Sequence, residues 1–138
     1  MRQCQHVLHI DTAGRGMTDI TAQAARWLAG EGVDTGLVTA FIRHTSASLT
    51  IQENADPTVQ SDLMDALDAL APRNVAYRHD TEGPDDMPAH IRTMLTDVSL
   101  QVPVRGGSML LGTWQGIYVV EHRDRPHRRQ VVLHYCGT

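Results

Sequence analysis

Leu100-Gln-Val-Pro-Val104-Arg-Gly-Gly-Ser108-Met-Leu-Leu-Gly-Thr113-Trp-Gln115-Gly-Ile-Tyr-Val-Val-Glu121-His122-Arg-Asp-Arg-Pro-His-Arg-Arg129-Gln-Val-Val-Leu-His-Tyr135 is the stretch that decides the fold class. Valine, isoleucine and tyrosine gather in short runs, and Gly106-Gly107 and Asp124 to Pro126 interrupt them, the pattern of strands and turns. Strands are expected at Leu100–Val104, Ser108–Thr113, Gln115–His122 and Arg129–Tyr135, forming an antiparallel meander. Pro103 has no amide proton to offer a neighbour, so it should mark an edge or a strand end.

Upstream the pattern changes period. Gln5 to Asp11 reads as a first strand, followed by a turn around Gly14 and Gly16 and a helix with Thr18 as its N-cap. Ile20, Ala24, Trp27 and Leu28 form one apolar stripe that ends at Gly30, which makes Trp27 a core residue rather than a ligand platform. Gly36 to Ile42 reads as a buried strand, and Ser46 to Gln52 continues extended. Asp56-Pro57 opens a second helix, carried by Val59, Leu63, Ala66, Leu67 and Leu70 until Pro72 stops it. A third runs from about Met87 to Val98, capped by Asp86, burying Ile91, Met94, Leu95 and Val98. Strands, then helices, then strands make one α+β domain over residues 1–138, with about three helices and antiparallel sheet.

Composition narrows the partners. Net charge is −4, without the basic face that nucleic-acid binding requires, and six aromatic residues in all give no base-stacking platform. No run approaches the roughly 18 apolar residues of a membrane span, so a cytoplasmic protein is expected. Cys4 and Cys136 lack metal-knuckle spacing and read as reduced thiols. All twelve basic residues are arginine, which excludes Schiff-base chemistry on lysine and favours planar recognition of phosphate or carboxylate. Arg123, Arg125, Arg128 and Arg129 are either such a site or a solvated turn.

Arg78 to His90 holds two imidazoles and four carboxylates in thirteen residues, either a hydrated loop or half of a metal or ligand pocket. His79 and His90, joined by a third imidazole from another strand, would make a three-ligand site with an open position for water or substrate. His44, Ser46, Ser48, Thr50 and Gln52 share one face of an extended chain, a row of polar groups suited to phosphate oxygens or a solvent-facing sheet surface. A serine hydrolase built on His44 and Ser46 is disfavoured, because no G-x-S-x-G elbow is present and the two side chains root about 7 Å apart. Glycines flanking Thr113-Trp114-Gln115 allow close approach by a ligand or another backbone, or form a bulged hairpin with a packed tryptophan.

His44 to Thr50 with Glu53-Asn54 and Asp56-Pro57, His79-Asp80 with Glu82-Gly83, Asp85-Asp86-Met87-Pro88 with His90-Ile91, and Gly112 to Ile117 with Glu121-His122-Arg123 together resemble the YjbQ family over nearly the whole chain. The resemblance implies a small α+β homotrimer with sites near subunit boundaries. It also implies a secondary thiamine-phosphate synthase activity, a metal-assisted transfer joining a pyrimidine pyrophosphate to a thiazole phosphate. Carried onto this chain, it makes His44, His79 and His90 ligands of a divalent cation (zinc or magnesium) or of phosphate, with His122 as a fourth. Arg123 becomes a phosphate contact, Ser46, Thr113 and Gln115 line the pocket, and Glu53 and Asp80 are candidate general bases. The alternatives are a non-catalytic trimer that binds a small phosphorylated metabolite or anion, and a metal-dependent hydrolase.

Overall fold

The structure is a computed structural model describing residues 1–138. Eight strands and three helices follow in the order β1 (Arg2–Thr12), β2 (Gly16–Asp19), α1 (Thr21–Gly30), β3 (Gly36–Ile42), β4 (Ala47–Glu53), α2 (Pro57–Leu70), α3 (Asp86–Leu95), β5 (Ser99–Arg105), β6 (Ser108–Met109), β7 (Gln115–Glu121) and β8 (His127–Gly137). They build two antiparallel sheets, one ordered β1-β8-β3-β5-β6 and one ordered β2-β7-β4. The α+β class and the three helices are as the sequence implies. No helix is long and apolar enough to cross a membrane.

Period-two burial explains the larger sheet. Along β3, Val38, Ala40 and Ile42 are buried while Phe41 points the other way and is half exposed; β8 buries Val131, Leu133 and Tyr135 in the same sense. These residues face Leu49, Ile117 and Val119 of the smaller sheet, Ala24 and Leu28 of α1 and Ile20 just before it in one core, each large side chain contributing roughly 1.5–3 kcal/mol. β7 lies between β2 and β4 and is buried from Gly116 to Glu121, because α2 and α3 cover the face turned away from the core.

Of the expected meander only the first hairpin forms, β5 with β6. β7 pairs with β4 and β2, while β8 inserts between β1 and β3 and pairs with β1 in an eleven-residue register running from Arg2↔Gly137 to Thr12↔His127. The turn around Thr113 carries the chain to the other sheet, so β6 stops at Met109, and Trp114 is exposed rather than packed. Trp27 is only half-buried, stacked on His6.

Helix boundaries differ where side chains compete for backbone groups. Thr18 is a strand residue paired with Val119; Asp19 instead accepts from the Thr21 amide at 2.9 Å and starts α1. α2 begins as expected, with Pro57 in its first turn and Asp56 accepting the Thr58 amide at 2.9 Å. The apolar stripe expected of α3 is not its buried face. Asp86, Pro88, Ala89 and Arg92 face inward, whereas Met94 is 87% exposed and Leu95 53%. Arg92 explains the rotation: its guanidinium reaches the carbonyls of Leu67 and Ala71 and the carboxylate of Asp68, placing a cation on the negative end of α2. The polar row of β4 is likewise covered, with Ser48 fully buried and Thr50 and Gln52 lining a groove against Leu63, Leu67 and Leu95.

Candidate functional site

α3 sets Asp86 and His90 four residues apart, hence one above the other on the same face. The irregular segment preceding α3 brings His79 against them. His79 Nε2 lies 2.9 Å and His90 Nε2 3.2 Å from Asp86 Oδ2, and the two rings meet edge to face with centroids 6.0 Å apart. Asp86 Oδ2 is buried yet meets no donor in hydrogen-bonding geometry. All three donor atoms fall within 4.8 Å of one another. Ligands about 2.0–2.2 Å from a tetrahedral zinc ion sit roughly 3.4 Å apart, so the two nitrogen–oxygen separations of 2.9 and 3.2 Å are short of that by half an ångström or less.

Two of the three donors are held from behind. His90 Nδ1 is 3.1 Å from the carbonyl of Thr45; a carbonyl only accepts, so Nδ1 carries the proton and Nε2 presents its lone pair, the usual outer-shell arrangement of a metal-ligating histidine. Arg123 Nη1 donates to Asp86 Oδ1 at 2.9 Å, Nε to Asp85 Oδ2 at 2.9 Å, and Nη2 to the carbonyl of Glu82 at 2.9 Å. Burial opposes ionisation of Asp85, but Arg123 and the Asp124 amide outweigh it and hold the carboxyl at about 2. Arg123 is therefore not a phosphate contact: its fork is spent on two carboxylates and a carbonyl, and it orients Asp86.

The structure does not bring His44 or His122 into this group. His122 is fully buried, with Nε2 2.8 Å from Ser48 Oγ. Burial, then the charge of Arg92, lowers its pKa to about 4. The unfolded chain, with histidine near the ordinary 6.5, binds the proton more readily, so the contribution of His122 to stability is complete above pH 6.5 and lost as pH falls towards 4. Urea midpoints measured between pH 7 and pH 4.5 should fall by an amount equivalent to roughly 2–3 kcal/mol, and that decline should flatten in His122→Gln; an equally steep decline in the variant excludes this histidine as its source.

His44 accepts the Gln130 amide at Nε2, 2.9 Å away, and burial together with Arg129 lowers its pKa. Ser46 Oγ accepts from Arg129 Nη2 at 3.0 Å. Glu53 closes β4, six residues or about 20 Å beyond Ala47, and accepts from the Asp56 amide. Thr113 and Gln115 stand at that same end, since Gln115 pairs with Glu53 and Glu121 with Ala47. The register thus separates Glu53, Thr113 and Gln115 from the histidine and carboxylate group, which lies beside Thr45 at the opposite end. Asp80 remains near, lining a cleft of about 410 Å³ with Tyr77, His79, Pro84 and Met87. A second cleft, about 500 Å³, is lined by Thr45 itself with His44, Ser46 and Arg129.

Asp86 is the residue that sequence reading missed, taken for a helix cap. Its signal was present: Asp86 and His90 share the Asp-x-x-x-His spacing that a helix places on one face.

A family model described as UPF0047 protein YjbQ-like matches residues 6–138. The chain belongs to that family. Among YjbQ-like relatives, a UPF0047 protein of Synechocystis sp. is 50% identical over 137 residues, covering 99% of this chain and 93% of the relative. YjbQ of Salmonella typhimurium is 44% identical, covering 96% and 97%. The crystal structure of a conserved hypothetical protein from Thermus thermophilus superposes with a TM-score of 0.82 at 38% identity, covering 93% of this chain and 97% of that one.

Proposed function

We propose that this protein is a metal-dependent transferase of the secondary thiamine-phosphate synthase type, acting on small phosphorylated molecules. The observation that carries the reading is the buried Asp86 Oδ2, flanked by two imidazole nitrogens and without a hydrogen-bond donor, at the edge of a cleft. Two imidazoles and a carboxylate suit zinc; magnesium prefers oxygen donors in an octahedral shell and fits this set poorly. His79, Asp86 and His90 would hold the ion, which when bound supplies Lewis acidity towards the oxygens of a pyrophosphate leaving group. Arg123 fixes the carboxylate, and the Thr45 carbonyl fixes the tautomer of His90.

In the transfer, a thiazole nitrogen bonds to the methylene carbon of the pyrimidine, and the carbon–oxygen bond to pyrophosphate breaks, the oxygen keeping the electron pair. That nitrogen carries no proton, so the step needs no general base. Neither Glu53 nor Asp80 is required for it. The reading includes a homotrimer, supported by exposed apolar side chains that run from Phe41 through Val98 to Met94 across adjoining clefts. It also includes a cytoplasmic setting, which the free thiols of Cys4 and Cys136 fit.

Purified protein supplied with the pyrimidine pyrophosphate and the thiazole phosphate should form the coupled product only with a divalent ion, zinc above magnesium, and His79→Ala/His90→Ala should lower the rate at least ~100-fold. Release of pyrophosphate without coupling would mark a hydrolase. No turnover with any divalent ion would leave a binding protein.

A further inference from the structure

We propose that the cleft formed by Arg43, His44, Thr45, Ser46 and Arg129 is an oxyanion subsite that takes the phosphate of a phosphate monoester. Its place beside the His79, Asp86 and His90 group rests on the functional reading above; its anion chemistry does not. No carboxylate lines this cleft, whose polar wall consists of two guanidiniums, an imidazole and two hydroxyl residues.

Gln130 of β8 organises that wall from behind. Its backbone amide donates to His44 Nε2 at 2.9 Å, and its side-chain oxygen accepts from Arg43 Nη1 at 3.1 Å. A peptide N–H only donates, so Nε2 is proton-free and neutral His44 carries its proton on Nδ1 as a hydrogen-bond donor. Arg129 is neutralised by the buried Glu121, but Arg43 has no carboxylate within ion-pair distance and remains exposed. Charge in the cleft is therefore unbalanced in favour of an anion, with guanidinium and imidazole donors of the kind a phosphate group accepts.

The neighbouring cleft lacks these features. It contains Asp80, and its arginine, Arg73, is already paired with Asp124. An anion should accordingly choose the side of His44. Thr45 joins the subsite to the candidate metal group, since it borders the cleft while its carbonyl holds His90. A substrate with its phosphate against Arg43 and His44 can thus reach that group across a single residue.

Isothermal titration of metal-free protein with inorganic phosphate and with phenyl phosphate tests the subsite. Binding is expected in the wild type, about tenfold or more weaker in Arg43→Gln and in His44→Gln, and unchanged in His79→Ala/His90→Ala. Arg43 is exposed, so its variant keeps the fold and stays informative if the His44 variant does not. Tighter binding of phenyl phosphate assigns the subsite to an organic phosphate, and equal binding to free phosphate; both uphold it. Equal affinity of wild type and Arg43→Gln, or loss of binding in the His79→Ala/His90→Ala protein, overturns it. Because these titrations omit metal, failure of the metal reading would appear separately, as absence of zinc uptake.

Discussion

Asp86→Asn is expected to weaken zinc binding by more than ~100-fold, beyond the 10- to 100-fold that outer-shell partners usually cost. The exchange preserves shape: an amide oxygen can still accept from Arg123 Nη1, which is 2.9 Å from the carboxylate in the native protein. What is lost is the negative charge between two imidazole nitrogens, the one carboxylate donor of the set. The fold should survive, because Arg123 keeps its bonds to Asp85 and to the Glu82 carbonyl. Arg123→Gln should fall between this variant and the wild type, about 10- to 100-fold weaker, since it disturbs the orientation of Asp86 and leaves all three donors in place. Competition against a chromophoric chelator gives both affinities. Zinc binding by Asp86→Asn within threefold of the wild type would sink the assignment of Asp86 as a ligand.

How much of this was legible in the sequence depends on which physical effect was local. The Asp56-Pro57 start of α2 was, because a cap and a proline act within one turn. The β3 strand was read to the residue, because a short apolar run rich in valine, isoleucine and phenylalanine is a property of the strand itself. The sheet order was not. Pairing β8 with β1 joins the two ends of the chain, and nothing in Arg129 to Tyr135 distinguishes that partner from a neighbouring hairpin.

The site divides along the same line. His79 and His90 lie close together in sequence, and the irregular segment that leads into α3 folds one against the other. His44 and His122 lie just past the ends of β3 and β7, where the pairing of distant strands decides their neighbours, and it gives them Gln130 and Ser48 instead. Arg123 shows the limit of reading by residue type. An arginine near histidines suits phosphate, but a guanidinium facing Asp85 and Asp86 is satisfied before any ligand arrives. The inward face of α3 was misread for a related reason: hydrophobic periodicity cannot see that the end of α2 offers carbonyls to Arg92, whose burial then rotates Met94 into solvent.

Glu121→Ala should cost about 3–5 kcal/mol, the usual penalty for stranding a buried charge. Glu121 is 1% exposed and accepts from Arg129 Nε at 2.8 Å, from the hydroxyl of Thr12 at 2.7 Å and from the Arg123 amide at 3.1 Å. Alanine leaves the Arg129 guanidinium, also buried, without a counter-charge. With an unfolding entropy of roughly 0.3 kcal/mol/K for a domain of this size, the melting temperature should drop by about 10–17 °C. Removing both charges should be gentler than removing one, so Glu121→Leu/Arg129→Met is expected to melt above Glu121→Ala. The pH dependence has a definite sign. Burial raises the pKa of Glu121, but Arg129, Thr12 and the Arg123 amide outweigh it and hold the folded value below the ordinary 4.5. The contribution of the ionised carboxylate is therefore present above pH 4.5 and lost as pH falls through the folded value, so the gap between wild type and Glu121→Ala should stay constant near neutrality and close only in acid. Calorimetry across that range decides it: a gap below ~1 kcal/mol at pH 7, or a double variant no more stable than Glu121→Ala, would show that Arg129 finds solvent when its partner is gone.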